Sequence, residues 1–143
     1  MVSDLVTVDT RFGSYLAEAG AIVTLPEGMP GFERCQRFVI VTGPTLEPFH
    51  CLHGLDGEQP SFLTLDPRVV LSDYATELPE AARVRIGATA DDSLLWMAVV
   101  RLDAHHALVN LRAPIVVNPR LMLGLQLIAA DSPYSTEHPL ALD

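Results

Sequence analysis

The chain has no lysine, and its nine basic residues are all arginines, spread from Arg11 to Arg120 without a cluster, against 18 acidic residues and a formal net charge of −9. Nucleic-acid binding is driven largely by counterion release where Lys and Arg meet phosphates, so an acidic chain without a basic stripe argues against direct RNA or DNA binding. A basic protein partner suits it better. Long apolar runs are missing too. The longest, Leu94 to Val100, falls far short of the roughly 20 helical residues that cross a bilayer. Met1-Val2-Ser3-Asp4-Leu5 carries an early acid and neither a positive cluster nor an apolar stretch, unlike a secretory leader. The expected location is therefore the cytoplasm, with no membrane association. There are only two cysteines, Cys35 and Cys51, and in a reducing compartment they are expected as buried small hydrophobes rather than a bridge. The signatures GxSxG, HExxH, GxxxxGKS/T and GxGxxG are all absent, which points away from the common hydrolase and nucleotide-binding classes.

What is present suffices for one folded unit spanning 1–143. At 143 residues, 49% apolar and 19% charged, the chain is far from the disordered composition. Folding at this length buries roughly 68–70% of the extended-chain surface. The apolar segments are short, rich in Val, Ile, Leu and Phe, and separated by Gly, Pro, Asp and Asn, as in alternating strands and turns. Strands are expected at Leu5–Asp9, Ala21–Leu25, Arg37–Thr42, Phe49–His53, Ser61–Leu65, Arg83–Ile86, Leu94–Leu102, Ala107–Leu111, Ile115–Val117 and Gly124–Ala129. Arg83-Val84-Arg85-Ile86 alternates, which sends Val84 and Ile86 inward on an outer strand. Leu94 to Val100 is apolar on both faces, as in a strand covered on both sides. Leu78 to Arg83 allows about one helical turn, led in by Pro79. The fold class is all-β: an antiparallel barrel-like or tightly curled sheet of about ten short strands with at most one or two helical turns. Residues 131–143 are polar with two prolines and are expected as an extended arm.

Few residues suggest reactive chemistry. His50-Cys51-Leu52-His53 holds three groups that zinc accepts, but on a strand His50 and His53 point to opposite faces, and no second ligand pair follows. A strand with partly exposed histidines is expected. Asp103-Ala104-His105-His106 reads as a hairpin turn. Asp91-Asp92 and Glu77/Glu80 lack a neighbouring His or nucleophile and read as solvated turns. Two rival readings stand beside this one: a small-molecule-binding β-barrel, which predicts a deep apolar pocket, and a metal hydrolase using His50, Cys51, His53, His105 or His106.

Four segments are more distinctive. Leu25-Pro26-Glu27-Gly28-Met29-Pro30-Gly31-Phe32-Glu33 is a strand end and a rigid turn, in which the glycines permit positive φ, the prolines restrict it and Phe32 can anchor the turn. Phe62-Leu63-Thr64-Leu65-Asp66-Pro67 ends a strand cleanly. Asn110-Leu111-Arg112-Ala113-Pro114-Ile115-Val116-Val117-Asn118 links two strands around a proline. Tyr134-Ser135, followed by His138-Pro139-Leu140, closes the series. In this order and spacing, over roughly residues 25–140, the segments resemble the FliW family of flagellar assembly factors. Two departures stand out: Leu52-His53-Gly54 replaces the usual Leu-Gln-Ser, and Arg120-Leu121-Met122-Leu123 replaces a polar turn. For the second, burial of Leu121, Leu123, Leu125 and Leu127 on one strand face is expected.

The resemblance implies a non-enzymatic protein without cofactor or metal that switches partners. Members of the family bind the dimeric RNA-binding translational regulator CsrA, antagonising its repression of flagellin mRNA, and bind flagellin in competition. It also implies candidate partner-binding residues: Gly28, Met29, Pro30, Gly31, Phe32 and Glu33 of the turn, with Asp66, Tyr74, Asn110, Asn118 and Gln126. Glu33 and Tyr74 lead as contact residues, since interfaces use charges and amphipathic aromatics.

Overall fold

The computed structural model describes residues 5–128 and 131–140. Eleven strands alternate with a 3-10 turn at Ala19–Ala21 and two short helices: β1 (Leu5–Thr10), β2 (Gly13–Glu18), β3 (Ile22–Thr24), β4 (Arg37–Val41), β5 (His50–Gly54), β6 (Ser61–Leu65), α1 (Pro67–Val70), α2 (Glu80–Arg85), β7 (Leu95–Leu102), β8 (Ala107–Val109), β9 (Ile115–Asn118), β10 (Leu123–Gln126) and β11 (His138–Leu140). The sequence of pairings β3-β4-β5-β6-β7-β9-β10 closes on itself because β10 also pairs with β3, so seven strands form a barrel. The closing contact, Leu123 opposite Thr24, is parallel, whereas every other pairing is antiparallel. Closure removes the exposed edges that an open sheet would leave. The strands β8 and β11 extend outward from the far end of β7.

β7 holds this arrangement together. Leu95–Met97 pair with β9, Ala98–Val100 with β6 and Val100–Leu102 with β8. Side-chain alternation splits the strand between two packed clusters. Trp96, Ala98 and Val100 join Val39, Val41, Cys51, Leu63 and Leu65, while Met97 joins Val23, Leu25, Phe38, Leu52, Ile115 and Val117. That division is why the segment is apolar on both faces. Cys51 and Cys35 are buried thiols, one in each cluster.

Several boundaries and elements differ from expectation. Arg83–Ile86 is not a strand: α2 covers Glu80–Arg85, Val84 is 69% exposed and only Ile86 is buried. Four alternating residues are too few to specify a strand when Pro79 starts a helix and Ala81 and Ala82 favour it, and the backbone N–H of Ile86 closes the turn on Ala82 at 3.2 Å. The expected helical turn therefore extends over this segment. β2, Gly13–Glu18, was not among the expected strands. It forms by pairing in full register with β1, from Leu5–Glu18 to Thr10–Gly13. The expected terminal arm contains β11, whose His138–Leu140 pair with β8. Leu121 is exposed and Met122 has a φ of +50°, because β9 and β10 close a turn between Asn118 and Leu123. Of the four leucines expected on one face, Leu125 is buried and Leu123 and Leu127 are half-buried. Ala129, expected to end that strand, and residues 141–143 of the arm lie outside the described residues.

Candidate partner-binding surface

The turn between β3 and β4 is built from local rules. Leu25 N–H donates to Gln36 O at 2.7 Å and brackets the loop, and Gly28 N–H donates back to Leu25 O at 2.8 Å. Gly28 has a φ of +65°, and a Cβ there would stand 2.8 Å from both Glu33 Cα and Phe32 O, so no larger residue fits. Met29-Pro30-Gly31-Phe32 is a type II turn: proline at the second position, Gly31 at φ +86° in the third, and Phe32 N–H donating to Met29 O at 2.7 Å. The Glu33 carboxylate accepts from Gly31 N–H at 3.2 Å. Met29 is buried, and the half-buried Phe32 meets Phe62 of β6 edge to face, with centroids 5.6 Å apart.

Phe32 stands at the border of two hollows. A cleft of about 630 Å³ runs between this turn, the start of β6, β7 and the β1–β2 tip. Phe12, Phe32, Phe62 and Val99 line it together with Asp9, Arg11, Glu58 and Arg101. A smaller hollow of about 370 Å³ shares Phe32 and Glu58 with it and is lined by Glu33 and Arg34. The Arg11 guanidinium sits 5.1 Å above the Phe12 ring, and Arg101 is paired with Glu137 at 3.2 Å. Aromatic side chains and arginines gather here, two residue types enriched at protein interfaces.

His53 forms part of the wall. It was expected to be partly exposed, but it is 5% exposed, because β5 is covered at this point by the β1–β2 tip. Its Nδ1 lies 2.7 Å from Ser61 Oγ, which also accepts the backbone N–H of Arg11 at 3.1 Å. This relay ties the β1–β2 tip to β6. Burial pushes the imidazole below its usual pKa, with the charge of Asp9 opposing the shift. His50, on the other face, is half-buried, and His105 and His106 sit on a turn whose N–H groups are both held by Asp103 Oδ1. Among the described residues no three His, Cys, Asp or Glu side chains gather as a metal site.

The remaining candidates are not brought to the cleft. Asp66 caps α1, accepting Arg68 N–H at 2.9 Å and pairing with its guanidinium at 2.7 Å, an interaction that lowers the carboxyl pKa. Asn110 Oδ1 accepts the N–H groups of Arg112 and Ala113. Gln126 Nε2 donates to Ala113 O at 3.1 Å. Tyr74 is buried: its hydroxyl donates to Leu111 O at 2.7 Å and its ring stacks on Tyr134 at 4.5 Å. Burial pushes that hydroxyl up to about 12. These contacts place Tyr74 in the packing of the C-terminal segment. Asn118 is wholly buried, and its Nδ2 is shared among Ile86 O, Gly87 O and Asp92 Oδ2. Asp92, expected in a solvated turn, is instead enclosed and gripped by Arg120 at 2.9 and 3.1 Å, which holds its carboxyl well below the usual range. Sequence reasoning missed Asp9, Arg11, Phe12 and Arg101. They come from distant segments, and the one signal available was the departure at His53.

The sequence model of the family described as "FliW protein" matches residues 7–140. A flagellar assembly factor FliW of Geobacter sulfurreducens is 36% identical over 132 residues, covering 91% of this chain and 82% of that one. Its namesake in Natranaerobius thermophilus is 30% identical over 136 residues, covering 93% and 90%. A crystal structure of the flagellar assembly factor FliW superposes with a TM-score of 0.83 over 96% of this chain and 99% of that one, at 23% identity, and so shares the fold.

Proposed function

This chain belongs to the FliW family, and on that premise we propose that it is a cytoplasmic, non-catalytic flagellar assembly factor that binds a CsrA-type translational regulator and, in competition, flagellin. While unexported flagellin is abundant it occupies the factor, and the regulator is free to repress flagellin translation. Export frees the factor, which captures the regulator and lifts repression. The observation that carries this reading is the family match over residues 7–140 in a chain of net charge −9. An acidic body docked on a basic RNA-binding protein repels incoming phosphates as well as crowding them. The type II turn and its aromatic cleft supply the contact surface, with Phe32 as anchor and Glu33 and Glu58 at the rim. The other candidates, Asp66, Tyr74, Asn110, Asn118 and Gln126, hold loops elsewhere in the fold and are left to a structural role.

Copurification from cells tests the proposal. The tagged chain is expected to bring down flagellin and a small basic RNA-binding protein, and added purified flagellin is expected to displace the latter. Capture of neither, or simultaneous saturation by both, contradicts it.

A further inference from the structure

The barrel leaves few main-chain groups open to another strand. Closure pairs both sides of its seven strands, and the edge at β11 is blunted by Pro139, which has no N–H to donate. The β1–β2 hairpin is different. Among the described residues β1 has β2 as its one strand partner, so every second residue of Leu5–Thr10 aims its N–H and C=O away from the sheet. This edge contains no proline and no bulge, and Val6, Thr7 and Val8 are β-branched. Leu5 is 57% and Leu16 63% exposed, and the register puts them on one face, since Leu5 stands opposite Glu18 and Thr7 opposite Leu16.

Charge and continuity indicate the occupant. The charges within the two strands are Asp9 and Glu18, both negative. The edge also runs into the aromatic cleft: Asp9, Arg11 and Phe12 line that cleft beside Phe32 and Phe62.

We infer that the outer edge of β1 takes an extended segment of a protein partner by strand addition, a segment of alternating apolar residues with a lysine or arginine opposite Asp9. Main-chain hydrogen bonds to β1 supply the affinity, and alternate side chains supply the specificity. The end of the segment nearest Thr10 reaches the cleft. This rests on the partner-binding role proposed above and adds to it the mode of contact.

The test uses the acetylated hexapeptide VKVTVL amide as probe, with VEVTVL and a form of VKVTVL carrying N-methyl groups on alternate amides. Amide hydrogen exchange of the full chain is followed by NMR. The lysine peptide is expected to protect the outward N–H groups of β1, to bind about tenfold more tightly than the glutamate peptide, as a charge pair allows, and to lose binding on N-methylation. Thr7→Pro, which removes an edge donor, is expected to abolish binding, with the barrel still unfolding cooperatively. Absence of protection at millimolar peptide, or indifference to N-methylation, overturns the inference. The copurification separates the two proposals. If Thr7→Pro captures flagellin and the regulator as the parent does, strand addition fails and the function stands. If the parent captures neither, the function fails and the peptide result decides the edge.

Discussion

The side chain of Asn118, on β9, reaches Asp92 Oδ2 at 3.3 Å across 26 residues of chain, from a position with no exposure to solvent. The same amide nitrogen serves Ile86 O at 3.0 Å, so the end of α2 and the following loop are fixed to the barrel through one residue. Replacing a donor by an acceptor here sets a carboxyl against two carbonyls and a carboxylate. Asn118→Ala is expected to cost about 2 kcal/mol, the penalty for unsatisfied buried acceptors, and Asn118→Asp more. Urea unfolding measures both, and an aspartate variant as stable as the alanine one removes the assigned role.

His53 makes stability depend on pH near neutrality. Its folded pKa is lowered by burial, so its contribution is complete above the unfolded value of about 6.5 and is lost as pH falls through the folded value. His53→Gln is expected to flatten the stability profile across that interval. Thermal melts between pH 7.5 and 5 would show it, and parallel profiles for the two proteins would dismiss the assignment.

Gly28→Ala is expected to destabilise by about 1–3 kcal/mol, from a left-handed φ together with a Cβ pressed on backbone atoms. Gly20→Ala, where an added Cβ meets nothing within 4 Å, is the control and is expected to be close to neutral. Equal melting temperatures for the two variants would contradict the steric account.

Regulator binding is expected to weaken steadily as salt rises from 50 to about 500 mM, because screening acts on exposed charges. The proposed flagellin contact, taken to use apolar and main-chain groups, is expected to change little. Calorimetric titrations at several salt concentrations distinguish them, and a salt-independent regulator affinity would remove electrostatics from the mechanism.

Ser61–Leu65 is the same strand in sequence and structure, because β-branched and aromatic residues there end at a proline that cannot continue the ladder. The turn at Gly28–Glu33 was equally legible, since its glycines and prolines permit few conformations. Such signals lie within a few neighbouring residues. By contrast β2, with Gly13 and Ser14, carries no strand signal of its own and exists because β1 offers a ladder. Val84 misled, because alternation over four residues is also what a helix turn can show.

Local chemistry in the chain thus determined the β class, the acid excess, the rigid turn and the family resemblance. Tertiary structure alone decided that Tyr74 and Asn118 face inward, that His53 is covered, and that Phe12, Phe32 and Phe62 meet in one cleft beside an open strand edge. The reason is physical. Turn and strand preferences act over a few bonds, whereas burial and cleft formation depend on which distant segments the closing of the barrel brings into contact.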